Sequence, residues 1–146
     1  MIDFKALKRK HFKYFHTINS RWSDNDIYGH VNNIVYYSYF DSAVNHYLIQ
    51  QGKLDIHNGP IVGFVVNSTC TYLQALAFPD NIEVGLSVIK IGNTSVTYSL
   101  GVYKEGGEEL HAYGEFVHVF VDRKVNKSVP IPEKIRLALE HLFVMT

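Results

Sequence analysis

The chain has almost no cysteine: Cys70 is the only one in 146 residues. A lone cysteine cannot close an internal disulfide, so the fold must rest on its core, and a reducing, cytoplasmic setting is expected. An excess of either charge is also missing, with 14 Lys and Arg against 14 Asp and Glu. With no global field to attract a polyanion, neither a nucleic-acid nor a membrane partner is expected. No stretch is apolar for long enough to span a bilayer. The opening segment MIDFKALKRKHFKYF is basic through Lys5, Lys8, Arg9, Lys10 and Lys13 but has no continuous apolar core, so a secretory signal is not expected. No Gly-x-Ser-x-Gly occurs, which removes support for an α/β-hydrolase serine mechanism. His111 and His118 stand seven apart on a strand and so face opposite ways. No other His, Cys or Asp spacing suggests zinc, and the expectation is no metal and no cofactor.

Rings are abundant, with ten Tyr and nine Phe, and they should supply much of the buried surface. The length suits one domain spanning residues 1–146. Residues 12–23 alternate, placing Phe12, Tyr14, His16, Ile18 and Trp22 on one face of a half-buried strand. From Asn33 to Gln51 the period changes. Tyr36, Phe40, Ala43 and Tyr47, with Tyr37, Val44 and Leu48, form the wide apolar stripe of a helix. Asn32 or Asn33 can cap its start, and Gly52 is placed to stop it. A β-rich run covers Ile61–Phe78. The segments Ile82–Ile91, Thr94–Lys104 and Leu110–Val121 then read as an antiparallel meander with turns at Gly92-Asn93 and Glu105-Gly106-Gly107. Pro132 opens a short final helix with an apolar stripe of Ile135, Leu139 and Leu142. One long apolar-faced helix needs a sheet to cover it, so the sheet should wrap around the helix.

Chemistry concentrates in Asp24-Asn25-Asp26-Ile27-Tyr28-Gly29-His30-Val31-Asn32-Asn33, between the end of the first strand and the start of the long helix. The first turn of a helix presents free N–H groups and partial positive charge, which can hold an anion or a developing oxyanion. A carboxylate beside such donors could attack a carbonyl or activate water. Gly29 permits a tight turn or close backbone approach. A plain turn and helix cap would use the same residue types.

The pattern D-x-D-x-x-G-H-V-N-N, set between a strand and an aromatic-rich helix, resembles the hotdog-fold thioesterases of the 4-hydroxybenzoyl-CoA thioesterase type, which include the YbgC-like acyl-CoA thioesterases. The H-V-N-N piece is also similar to plant acyl-carrier-protein thioesterases. The resemblance implies an α+β hotdog fold: a five-stranded antiparallel β-sheet around one long central α-helix, plus a short C-terminal helix. It implies hydrolysis of acyl-CoA, with Asp26 as the catalytic carboxylate and the Asn33 backbone N–H polarising the thioester carbonyl. His30 and Asn32 would order the loop. Gly29, Tyr36 and Tyr37 become candidate substrate contacts, as do Lys90, Gly92 and Ser95 on a hairpin that would border the substrate tunnel. Asp41 is the alternative acid, matching a second hotdog branch whose H-G-G helix start is here His30-Val31-Asn32. The resemblance also implies a homodimer or homotetramer with the acyl group between subunits. An acyl-carrier-protein substrate, a thioester dehydratase or hydratase, and a noncatalytic acyl-CoA binding module are the competing readings. Cys70 reads as a buried structural thiol, His46 as a packing or surface residue, and Arg123, Lys124 and Lys127 as a solvated basic cluster.

Overall fold

Alternation of apolar and polar residues builds most of this molecule. The computed structural model describes residues 3–4 and 7–144; Met1, Ile2, Lys5, Ala6, Met145 and Thr146 lie outside the described residues. In chain order the elements are β1 (Tyr14–Asn19), α1 (Val35–Gln50), β2 (Ile61–Tyr72), β3 (Asn81–Ile91), β4 (Ser95–Lys104), β5 (Ala112–Asp122), β6 (Lys127–Ser128) and α2 (Glu133–His141). The sheet runs β1-β3-β4-β5-β2, antiparallel at every pairing, with the two-residue β6 added beside β5. This is the hotdog arrangement, with the five-stranded sheet curled over α1.

The inner face is set by period two. Ile82, Val84, Leu86 and Val88 of β3, Val96, Tyr98, Leu100 and Val102 of β4, and Phe116 and Phe120 of β5 are all buried. They meet Tyr36, Tyr39, Phe40, Ala43, Val44, Tyr47 and Leu48 of α1 in one core. His118 lies between Phe116 and Phe120, and burial pushes its pKa down to about 4, so it is neutral. The helix can approach β5 closely because residue 114 is glycine. A Cβ there would stand 2.7 Å from Phe40 Cζ and 2.5 Å from the Thr69 carbonyl oxygen. The second helix packs Ile135, Ala138 and Leu139 into the same core, and Tyr47 donates its hydroxyl to the Ala138 carbonyl at 2.6 Å.

A second, smaller core covers the outer face. Phe12, Tyr103, Leu110 and Tyr113 are buried there, with Phe4, Leu7 and Phe15 packed against them. Gly85 and Gly101 leave the groove that the Phe12 ring fills. The Arg9 guanidinium lies 4.5 Å from the Phe15 ring centre and 4.8 Å from that of Tyr103, and its Nη2 pairs with Glu83 at 2.7 Å.

Several sequence expectations need correction. The first strand is shorter than 12–23. Tyr14 and Ile18 face the helix, but Phe12 belongs to the outer core, and Trp22 sits exposed in a 3₁₀ turn, Trp22–Asp24. The helix begins at Val35 rather than Asn33, because residues 33–34 are spent on the turn into it. Gly52 does not adopt a left-handed stop. Residue 51 caps the helix, and Gly52 is buried where a Cβ would lie 2.8 Å from the Leu48 carbonyl oxygen. The run Ile61–Phe78 is a strand only to Tyr72, after which a loop returns to the helix start. The Thr94–Lys104 and Leu110–Val121 strands are Ser95–Lys104 and Ala112–Asp122.

The close approach at residue 114 generates a prediction. Gly114→Ala should destabilise the protein by about 1–3 kcal/mol, since neither the Phe40 ring nor the Thr69 carbonyl has room to retreat. A chemical-denaturation midpoint close to that of the wild type would contradict the packing described.

Candidate active site

A buried carboxylate organises the crossing from β1 to α1. Asp24 is 1% exposed. Its Oδ2 accepts from the Arg21 N–H at 2.9 Å and from the Tyr39 hydroxyl at 2.8 Å, and its Oδ1 accepts from Arg21 Nε at 3.1 Å and Nη2 at 3.0 Å. Burial alone would raise its pKa. The backbone and Tyr39 hydrogen bonds and the Arg21 charge outweigh that and hold the carboxyl below its ordinary value. On the other side, the Asp24–Tyr39 bond adds to burial in pushing the Tyr39 phenol well up. The Asp24 carbonyl also accepts the Asn32 N–H at 2.9 Å, which brings the two ends of the loop together.

Between those ends the chain makes a tight turn. Asn25 bridges to Val31, the Asp26 N–H reaches the His30 carbonyl at 2.9 Å, and the Gly29 N–H returns to the Asp26 carbonyl at 3.0 Å. Gly29 has φ of +83°, the left-handed conformation for which glycine is suited. Asp26 Oδ1 accepts the Tyr28 N–H at 2.9 Å, an Asx-type turn, and among the described residues no protein group donates to Oδ2. Two further bonds dock the loop onto the segment after β2: Val31 N–H to the Leu76 carbonyl at 2.7 Å, and Phe78 N–H to Asn25 Oδ1 at 3.0 Å.

The start of α1 then follows a defined hydrogen-bond pattern. Asn32 Oδ1 accepts the Ile34 N–H at 3.2 Å, and its carbonyl accepts the Val35 N–H at 2.9 Å. The Asn33 carbonyl accepts the Tyr72 hydroxyl at 2.9 Å. Among the described residues, no protein group accepts the Asn33 N–H. Asn33 lines a cleft of about 280 Å³ with His30, Val31, Tyr36, Tyr72, Leu73, Gln74 and Ala75. The cleft therefore joins the unspent Asn33 amide to a histidine and two phenols. A larger recess of about 830 Å³ lies on the far side of Leu73 and Gln74, beneath the N-terminal segment, but it contains no residue of the loop or of α1.

Of the residues chosen from sequence, Asp26, Gly29, His30, Asn32, Asn33 and Tyr36 gather at the helix start. His30, Asn33 and Tyr36 line the cleft, whereas Asp26 sits in the adjoining turn and is not part of the cleft wall. Tyr37 is half-buried against Phe40. Lys90, Gly92 and Ser95 lie elsewhere in this chain. Gly92 N–H donates to the Ser95 carbonyl at 2.7 Å in the β3–β4 turn, and Lys90 borders a recess of about 470 Å³ with Arg136 and Phe143. Asp41 is exposed, and its Oδ1 accepts from the Asn45 amide at 3.0 Å. Cys70 is only half-buried, and burial raises its thiol to about 11, well away from a reactive thiolate. His46 is exposed, stacks on His16 at 4.3 Å and bonds the Tyr14 hydroxyl. Arg123, Lys124 and Lys127 are exposed, and Arg123 also clasps the Ile56 and Gly59 carbonyls. Among the described residues there is no group of three or more His, Cys, Asp or Glu able to hold a metal. Sequence reasoning singled out neither the anchoring role of Asp24 nor the cleft wall at Tyr72–Ala75. Arg21 three residues before Asp24 was a signal for the former; nothing local signalled the latter.

The sequence model of the thioesterase-like superfamily matches residues 20–139, which span the whole candidate site, all of α1 and most of α2. The chain belongs to this superfamily, and its class is that of thioester hydrolases. It is similar over nearly its full length to PA5185 of Pseudomonas aeruginosa strain PAO1, with 51% identity, a TM-score of 0.92, and coverage of 93% of this chain and 95% of that one. PA2801 of the same species shares 28% identity at a TM-score of 0.82, covering 88% of this chain and 98% of its own. The Bacillus subtilis protein YsmA is 25% identical over 131 residues, 89% of this chain and 87% of that protein.

The Asp24 anchor has a testable pH consequence. Because its folded pKa is depressed, Asp24 contributes stability that is present above the unfolded value of about 3.9 and lost as pH falls through the folded one. Asp24→Asn should therefore cost about 1–3 kcal/mol at neutral pH and shrink as the solution is acidified. Urea midpoints for both proteins between neutrality and strong acid would show it; a gap that stays constant with pH would count against the assignment.

Proposed function

We propose that this protein hydrolyses acyl-CoA thioesters to a free acid and coenzyme A. The observation that carries the reading is the unspent Asn33 amide at the start of α1, opening on a cleft beside the Asp26 turn. A thioester carbonyl is electrophilic and its thiolate leaves readily, so a modest site suffices. In the proposed reaction the carbonyl oxygen accepts the Asn33 N–H, and the partial positive charge at the helix start favours the developing oxyanion. One such donor is worth about 2.7–4 kcal/mol. The free Oδ2 of Asp26 then attacks the carbonyl and the C–S bond breaks to release the coenzyme A thiolate, leaving a mixed anhydride that water hydrolyses to the acid and free Asp26. Alternatively it removes a proton from a water that attacks the carbonyl and expels the same thiolate. His30 and Asn32 hold the turn, and Gly29 gives it its conformation. Tyr36 borders the acyl group, with Tyr37 one residue further along the helix.

The carrier is read as coenzyme A rather than an acidic acyl-carrier protein, because a chain of zero net charge offers no general attraction to an acidic partner. Lys90, Gly92 and Ser95 would contact the carrier only if the cleft continues across a subunit boundary, and the shape of β2 supports such a boundary. It is a free edge of 12 residues without a single charge, and Phe64, Val65 and Val66 on it are 46%, 45% and 58% exposed. Edge strands are usually protected by charge or proline. An uncharged edge can pair with its own copy without repulsion, so a homodimer through β2 is the proposed working unit, itself able to pair into a tetramer. The whole chain is read as one domain. A cytoplasmic setting is part of the proposal, and no helix among the described residues is long and apolar enough to cross a membrane.

Two measurements test this reading. Asp26→Asn and Asp26→Ala should each lower kcat by about 10²–10⁴-fold in a thiol-release assay across a panel of acyl-CoA substrates. Hydrolysis at the wild-type rate in both would remove Asp26 from the chemistry, and binding without turnover by the wild type would make the protein a binding module. Val66→Lys should place a charge on the β2 edge and turn the assembly into monomers in sedimentation experiments. An unchanged sedimentation coefficient would rule out that edge as the interface.

A further inference from the structure

We infer that Tyr72 is a positioning residue for this site: its hydroxyl, donated to the Asn33 carbonyl at 2.9 Å, holds the peptide unit after Asn33 Cα and so limits how far the unspent amide before that Cα can turn. The inference rests on the proposed role of the Asn33 amide. Tyr72 is the last residue of β2, some forty positions away in sequence, and it reaches across to the start of α1.

Three observations separate this role from ordinary packing. First, the ring is 42% exposed and lies outside both buried cores, so it is not held in place by being inaccessible. Its ring contact is edge-on to Tyr36, at 5.1 Å between centres and 83° between planes, and both rings line the cleft. Second, the carbonyl it binds lies just outside the helix, which begins at Val35. The Asn33 carbonyl shares one planar peptide unit with the Ile34 N–H, and that unit is held from two sides, by Asn32 Oδ1 at the N–H and by the Tyr72 hydroxyl at the oxygen. Without the phenol only the 3.2 Å bond from Asn32 remains on this unit, and the Asn33 N–H, attached to the same Cα, is free to turn with it. Third, partial burial, with Cys70 and Tyr37, holds the Tyr72 phenol above its ordinary value, so at neutral pH the hydroxyl keeps the proton it donates to Asn33.

The consequence is that the oxyanion donor is aimed from outside its own loop. Tyr72 also ends the free edge of the sheet, so the residue that aims the amide belongs to the strand proposed to meet a second copy. A small misdirection of a donor matters because its value depends on meeting the oxygen in the transition state rather than in the ground state.

The test is Tyr72→Phe, which deletes one oxygen and keeps the ring, compared with Tyr72→Leu. In Tyr72→Phe, kcat should fall about tenfold with KM and thermal midpoint little changed. In Tyr72→Leu, kcat should fall by at least as much, and KM should rise because the ring also lines the cleft. The Asn33 ¹H–¹⁵N resonance, a readout independent of turnover, should shift and its order parameter fall in Tyr72→Phe. Wild-type kcat with an unchanged Asn33 resonance and order parameter in Tyr72→Phe would overturn the inference. So would a lower kcat accompanied by a higher KM and a lower thermal midpoint in Tyr72→Phe, which marks a structural residue. The reading of the site fails separately: if Asp26→Asn leaves turnover intact while Tyr72→Phe alters the Asn33 resonance, the tether stands and the proposed chemistry does not.

Discussion

The structure depends on satisfying one buried carboxylate. A charged Asp24 removed from water would cost several kcal/mol if left alone. Here it takes donors from the Arg21 backbone and guanidinium and from Tyr39, while its own carbonyl takes the Asn32 amide. Those contacts join the end of β1, the second turn of α1 and the residue just before Asn33. Once they are made, the intervening residues have little choice but a short closed turn, which Gly29 permits. The amides of Asn32, Ile34 and Val35 are all spent on the loop, and that of Asn33 is not. The chemical asymmetry of the site is thus a by-product of how the loop is held.

The rest of the fold delivers this helix start to an edge. Glycine at 114 lets Phe40 and α1 settle against the curled sheet, while the Phe12 ring, lodged over Gly85 and Gly101, closes the outer surface. The sheet has two edges, the six-residue β1 and the twelve-residue β2, and the last residue of β2 touches the helix start. Sheet edge and candidate site are therefore parts of one surface. The exposed apolar residues Phe64, Val65, Val66, Tyr72 and Leu73 run along it, and Ile34 stands exposed at the helix start beside it.

Much of the fold was legible because its elements obey their simple periods. The alternation in β3 and β4 and the three-four spacing of Tyr36, Phe40, Ala43 and Tyr47 were enough to find a meander and the helix it covers. Errors arose where alternation continued past the end of an element or served another surface. Phe12 fits the parity of β1 but packs on the opposite face, and Trp22 keeps the pattern after the strand has turned. Gly52 looked like a helix stop by composition, whereas its small size is needed against the Leu48 carbonyl. The local part of the site, Asp26 through Asn33, could be read from its motif because those residues are neighbours in sequence. The wall from Tyr72 to Ala75 could not, since only tertiary structure brings it to Asn33. Lys90, Gly92 and Ser95 were named by resemblance alone, and within one chain they lie apart from the cleft.

The central claim is that the Asn33 amide receives the thioester oxygen. It is tested most directly by titrating ¹⁵N-labelled protein with an acyl-CoA ketone analogue, in which a methylene separates sulfur from the carbonyl so that no hydrolysis occurs. The account predicts that the Asn33 amide resonance moves furthest and saturates with the analogue. Saturation of other amides with Asn33 unmoved would contradict it.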